Sequence, residues 1–268
     1  MKQLLTKTKG HDGADKEAFI SLRPGGTYVT DAQGNPVVEG SLTAERWDLV
    51  PAAAVATGTS KLMVTVGTGT EVVAKADKGG VNIKTQATTP AQGDNALLAA
   101  VATTNFTAKI RAASQMRCVW IVSLTDITTL FASFGLNENI TDADPSGTAG
   151  DGAMFLFVPS GNAADLTVNP GLASALYANW IIAEKVNGTD AYTSTTVPVV
   201  PGQDYELAVE LWEDLKPRYY IDGVLVHTGA ALTSGDTLSV FGGLEKRDVG
   251  GTQRDFDCRS VSLSRLFG

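Results

Sequence analysis

The chain has 268 residues and a net charge of −8, with 43% hydrophobic and 19% charged residues. No basic cluster interrupts that acidity, which excludes nucleic acid as a partner, because phosphate binding needs a basic face. The length fits one large domain, or one domain with an appendage, and 28 glycines amid Thr, Ala and Val point to short strands joined by turns. Met1–His11 offers only Leu4 and Leu5 where a signal peptide needs an apolar core. No stretch approaches the roughly 18 apolar residues of a membrane span. The expectation is therefore a protein folded in a cytosol, without a membrane partner.

In chain order, residues 1–45 read as an extended N-terminal arm. Lys, Asp and Gly dominate up to Lys16, and Arg23-Pro-Gly-Gly26 and Gln33-Gly-Asn-Pro36 are turn sequences. Phe19, Ile20, Leu22 and Tyr28 are too few for a core of their own, so they are the candidate protein-docking residues, burying against another subunit. The alternative is that Ala18–Leu22 and Gly26–Thr30 are edge strands on the chain's own sandwich.

Residues 46–268 read as a β-sandwich. Trp47–Val50, Lys61–Val66, Thr70–Ala74 and Val81–Thr85 are strand candidates, while Ala96–Ala102 stays open between strand and short helix. Phe106, Ala108, Ile110 and Ala112 alternate with Thr107, Lys109 and Arg111, giving a strand with one wet face. Met116–Leu124, Thr129–Gly135 and Ala153–Val158 are apolar on both parities, as strands covered on both sides are. Gly171–Tyr177 is the helix-like piece, and Trp180–Glu184, Thr195–Val200 and Thr237–Gly243 add strands.

Tyr205, Leu207, Val209 and Leu211 alternate with Asp204, Glu206, Ala208 and Glu210, which predicts one apolar face and one solvated acidic stripe. Two short runs then flank Asp222-Gly223, the signature of a tight hairpin. The last strand, Asp255–Phe267, switches parity from Phe256 and Cys258 to Val261 and Leu263, which predicts a bulge near Arg259. Trp120, Phe134, Phe155 or Phe157, Val209 and Ile221 are the expected core.

Catalytic motifs are missing from this pattern. His11, His227, Cys118 and Cys258 share no metal-ligand spacing, and His227 reads as an exposed rim histidine. The cysteines read as reduced, buried thiols on neighbouring strands. Asp142-Ala-Asp144-Pro-Ser-Gly147, with Asp151 beyond it, begins like a calcium loop, but Ala153 stands where a bidentate glutamate belongs, so a plain Asp/Gly loop is preferred. Glu206 and Glu210 share a strand face about 13 Å apart, too far for the paired carboxylates of most glycosidases. Trp47, Trp120, Trp180 and Trp212 are core or sugar-stacking aromatics; Trp180 and Trp212 are the more exposed by pattern, yet core or inter-sheet packing is the preferred reading for each.

From about Asn105 onward, the opening strand, Val119–Thr125, Asp204–Trp212, the Arg218-Tyr-Tyr-Ile-Asp-Gly-Val-Leu-Val226 hairpin and the closing strand resemble the concanavalin A-like (laminin-G-like) jelly roll of tailed-bacteriophage structural proteins. The resemblance implies an all-β antiparallel sandwich in a virion structural protein: a capsid decoration, cement or head-fibre subunit. Its partners would be the major capsid protein or other virion subunits, with a dimer or trimer as homo-oligomer, located in the virion after assembly in the host cytoplasm. The same fold class implies the alternative of a carbohydrate-binding or receptor-binding module, whose partner is a cell-surface glycan. The hydrolase motif of the family, glutamate-x-aspartate-x-x-glutamate, is absent around Glu210–Asp214, so no enzyme and no cofactor are expected.

Overall fold

The structure, a computed structural model, describes residues 3–9, 15–21, 29–30, 36–37, 45–48, 64–66, 71–74, 80–85, 89, 91–99, 110–111, 115–138, 150–159, 177–249 and 251–265. The chain divides into two compact units, residues 1–43 with 267–268, and residues 44–266.

In the smaller unit β1 (Gln3–Lys9) and β2 (Asp15–Ser21) form an antiparallel pair, as do β3 (Val29–Thr30) and β4 (Pro36–Val37). Of the expected docking residues, Phe19 and Ile20 take register positions opposite Leu5 and Leu4. Their side chains, and Leu22 and Tyr28 altogether, lie outside the described residues.

The larger unit begins with β5 (Glu45–Asp48), β6 (Val64–Val66), β7 (Glu71–Ala74), β8 (Val81–Lys84), β9 (Asn95–Ala99) and β10 (Ile110–Arg111). It continues with β11 (Met116–Leu124), β12 (Leu130–Asn137), β13 (Gly152–Phe157), β14 (Asn179–Val186) and β15 (Thr189–Pro198). It ends with β16 (Tyr205–Leu211), β17 (Pro217–Ile221), β18 (Val224–Thr228), β19 (Thr237–Lys246) and β20 (Asp255–Arg265). Sheet 1 has the order β15-β14-β13-β12-β19-β9-β6, with β10 also on β19; sheet 2 has the order β18-β17-β16-β11-β20-β8-β7, with β5 also on β20. Every described pairing is antiparallel. Residues 96–99 of the ambiguous Ala96–Ala102 run belong to β9, where Leu97 and Leu98 take opposite faces of a sheet that is buried on both sides; the remainder lies outside the described residues. The helix-like Gly171–Tyr177 falls outside the described residues, apart from Tyr177.

The expected core residues meet between the sheets. Trp120, Phe134, Phe155, Phe157, Val209 and Ile221 all belong to the inter-sheet cluster. Phe134 sits at its centre, with ring centroids 5.5 Å from Trp120, 5.3 Å from Phe256 and 6.1 Å from Trp180. Edge-to-face rings of this kind add directional attraction to apolar burial, which is itself about 1.5–3 kcal/mol per large side chain. Trp180 takes the preferred core reading: it is fully buried, against Phe157 and Tyr205 as well as Phe134. It faces the layer between the sheets with Ile182, while Ile181 and Ala183 join a second apolar cluster on the outward side of sheet 1, which leaves β14 with no wet face.

Two turns close tight hairpins. Asn187 and Gly188 have φ of 50° and 76°, Asp222 and Gly223 of 49° and 78°. Positive φ at both central positions matches the right-handed twist of the strands they join. The bulge expected near Arg259 is present: Ile121 pairs with Ser260 and Val122 with Cys258, so Arg259 is the residue passed over. The outer edge strands are irregular as well. The β14–β15 register shifts near Asn179 and the β17–β18 register between Tyr219 and Tyr220. Bulges at sheet edges hinder edge-to-edge pairing with other chains.

Both cysteines are free and buried. Their strands β11 and β20 do pair, but the two thiols are not cross-strand partners: Cys118 pairs with Leu263 and Cys258 with Val122, an offset of four residues along β11, or about 13 Å at ~3.3 Å per residue. Burial raises the Cys118 thiol from 9.0 to about 12 and pushes Cys258 up as well.

Candidate ligand-binding face

The outward side of sheet 2 carries the charged residues of β11, β16 and β17 in cross-strand rows. Arg117 lies opposite Glu210, and Glu210 opposite Arg218; one pleat along, Val119 lies opposite Ala208, and Ala208 opposite Tyr220; next, Ile121 lies opposite Glu206. The Arg117 guanidinium joins two of these rows, with Nη2 donating to Glu206 Oε1 at 3.1 Å and Nε 3.5 Å from Glu210 Oε1. On its way it crosses the level of Ala208, which is fully buried and presents only a methyl group.

The predicted acidic stripe is therefore corrected. Glu210 is only 3% exposed and shares Arg117 with Glu206. The alternation predicted the right face but could not show the cation that the neighbouring strand supplies. A carboxylate buried to this degree needs such a partner.

At the end of β16 stands Trp212, 37% exposed as its parity predicted. Its Nε1–H donates to Glu210 Oε2 at 3.2 Å, which fixes the ring from below. Arg218 lies over the ring, 5.7 Å from its centroid, within cation–π range. Arg218 is itself clamped, with Nη1 donating to Asp214 Oδ1 at 3.1 Å and Nη2 to Oδ2 at 2.8 Å. That hydrogen-bonded pairing holds the Asp214 carboxyl below its ordinary range and the guanidinium above. Gln115 Nε2 donates to Glu213 Oε1 at 3.0 Å beside them. The result is a fixed, partly exposed aromatic ring bordered by charged groups of both signs, many already oriented by one another.

The other sequence-predicted site residues lie elsewhere. Of Asp142, Asp144 and Asp151, the first two lie outside the described residues. Asp151 is fully buried, and its two carboxylate oxygens accept from the backbone N–H groups of Asn187 and Thr233. It ties the β14–β15 turn to the segment after β18. Burial and the neighbouring Asp151 and Glu138 charges raise the Asp236 carboxyl above its ordinary value. Among the described residues no group of three or more His, Cys, Asp or Glu could hold a metal, and no helix is long and apolar enough to cross a membrane.

His227 is not an exposed rim residue. Its Nε2 lies 3.6 Å from Glu184 Oε1 and its ring 5.9 Å from that of Tyr219. The bulge in the β17–β18 ladder turns it inward, and Gly229 gives the Glu184 carboxylate its space: a side chain there would occupy the same position. Burial, then the nearby Glu184 charge, pushes the Tyr219 hydroxyl well above its ordinary value. No sequence spacing could have shown this grouping, because it joins β14 of one sheet to β17 and β18 of the other.

No known protein family matches the sequence, and no curated protein is similar to it. Similarity appears among solved structures. The chain is similar to a protein of unknown function, SO2946 from Shewanella oneidensis MR-1, at a TM-score of 0.54 and 11% identity, covering 89% of this chain and 90% of that one. It is similar to a protein of unknown function with a galectin-like fold from Bacillus subtilis at 0.53 and 9% identity, covering 90% and 100%. The carbohydrate recognition domain of Emp47p follows at 0.48 and 12%, covering 81% and 93%. The chain accordingly has an all-β, galectin-like jelly-roll fold. Identities this low establish architecture alone.

Proposed function

We propose that the sandwich is a non-catalytic, lectin-like module that binds carbohydrate on the outward face of sheet 2. The observation that carries this reading is Trp212, an exposed indole held in place by Glu210 and Arg218. An aromatic face packs against the C–H side of a sugar ring, while carboxylate acceptors and guanidinium donors suit the hydroxyls around it. Pre-orientation of the side chains lowers the entropy cost of binding. The test is a glycan array followed by titration calorimetry on the full chain. Wild type is expected to bind at least one glycan, and Trp212→Ala to weaken binding at least tenfold while still unfolding in one cooperative transition. An empty array, or equal binding by the variant, would overturn the reading.

A second reading is favoured by the division of the chain into a small N-terminal unit and the sandwich. Here residues 1–45 dock on the major capsid protein or another virion subunit through Phe19, Ile20, Leu22 and Tyr28, and the sandwich projects outward. The irregular edges of the sandwich support it, since they direct association away from strand pairing. Deleting residues 1–30 should then abolish association with virus particles while leaving the sandwich folded; undiminished association removes this reading.

A further inference from the structure

Building on the carbohydrate reading, we infer that the ligand is an internal stretch of an extended, uncharged polysaccharide lying along β17, rather than a terminal sugar in a pocket. Three observations lead there.

The first is the direction of the partly exposed side chains. Tyr219 and Ile221 turn into the core, so Arg218 and Tyr220 share the outward face of β17. Trp212 abuts Arg218 at one end of this line. Leu225, 50% exposed, lies opposite Tyr220 in register, beside the line on β18. Arg218 to Tyr220 alone spans about 7 Å at ~3.3 Å per residue; Trp212 extends the line beyond Arg218, and Leu225 widens it beside Tyr220. A single sugar ring covers only one of the two aromatic positions.

The second is shape. These residues stand on the pleated surface of a sheet, and Ala208 beside Tyr220 adds only a methyl group to the relief. A surface of this kind admits a chain that continues in both directions.

The third is charge. Around the line Glu206, Glu210, Glu213 and Asp214 outnumber Arg117, Lys216 and Arg218, and Asp222 adds a carboxylate at the hairpin turn. Arg117 and Arg218 are already engaged by Glu206, Glu210 and Asp214. A uronate or sulfated chain would meet excess negative charge on a protein that is acidic overall.

The experiment is calorimetric titration of the full chain with neutral gluco-, manno- and galacto-oligosaccharides from disaccharide to hexasaccharide, and with oligoalginates of the same lengths. Affinity for a neutral series is expected to rise at least tenfold with length and then level off. Tyr220→Ala should remove that gain while leaving disaccharide affinity within about twofold, and Tyr220→Phe, which keeps the ring, should retain it. Disaccharides binding as tightly as hexasaccharides, or oligoalginates binding better than every neutral series, would overturn this inference and leave the carbohydrate reading standing. Failure of every oligosaccharide to bind would remove both.

Discussion

The outward sides of the two sheets are built on opposite principles. On sheet 1, Leu97, Phe131, Met154, Leu156, Ile181 and Phe241 form a second buried apolar cluster behind the first. On sheet 2, the corresponding positions hold Arg117, Glu206, Glu210, Arg218 and Tyr220, joined by ion pairs and partly open. A sandwich needs only the layer between its sheets to fold. The extra layer makes sheet 1 part of the interior and leaves sheet 2 as the side on which polar chemistry meets solvent.

The sharpest way to break this contrast is to cut into the second layer of sheet 1. Phe241→Ala removes a fully buried ring and is expected to destabilise the protein by about 3–5 kcal/mol in urea denaturation. A loss under 1 kcal/mol would mean that the outward side of sheet 1 behaves as surface.

On sheet 2 the expected costs are smaller and come from charge. Arg117→Met leaves the buried Glu210 without its cation, at roughly 1–3 kcal/mol. Adding Glu210→Leu to Arg117→Met should recover most of that loss, because apolar replacement of both partners of a buried pair is commonly neutral. Additive losses in the double variant would show that Arg117 contributes by packing instead.

Alkaline pH sharpens the comparison from inside, since both thiols face the layer between the sheets. Cys118 titrates at about 12 in the fold against an ordinary 9.0, so the folded state holds a proton that the unfolded state gives up. Its contribution is fully present below pH 9 and declines between pH 9 and 12, by up to about 1.4 kcal/mol per pH unit. Cys258 is raised by the same cause and acts in the same direction. Urea midpoints measured across this window should fall, and should fall less steeply in Cys118→Ala.

The smallest effects belong to the turns. Gly223→Ala places a methyl group at φ 78°, where nothing lies within 4 Å, so only backbone strain is added, about 1 kcal/mol. A loss well above that would show the turn to be coupled to the face beside it.

Much of the architecture is legible in the chain because burial leaves a parity record. Both-parity runs marked β11, β12 and β13, strict alternation marked β16, and the parity switch located the bulge at Arg259. Asn187-Gly188 is a hairpin signal as plain as Asp222-Gly223, yet the expected strand begins only at Thr195 and leaves out the first half of β15. Trp180 shows the limit of parity: its strand carries Glu184, which lies 3.6 Å from His227 of the opposite sheet, so a charged residue does not mark a wet face there. The Trp212 face was half legible: parity gave Trp212, Glu206 and Glu210 one side, but Arg117 arrives from a strand some ninety positions earlier in the chain. Cross-strand partners of that kind leave no spacing to read.

Arg259 also sets where this protein can tolerate being shortened. Without the passed-over residue, Phe256, Cys258, Val261 and Leu263 would fall into one unbroken alternation, with Asp257, Ser260 and Ser262 on the other side. The ion pairs of Arg259 with Asp204 and Asp257 would be lost, but no apolar side chain would turn outward. Removing Val261 instead would swap Ser262 inward and Leu263 outward for the rest of the strand. The bulge thus behaves like a spare letter between two words: the strand still spells its core if a lineage drops it, and becomes unreadable if the loss falls two letters later.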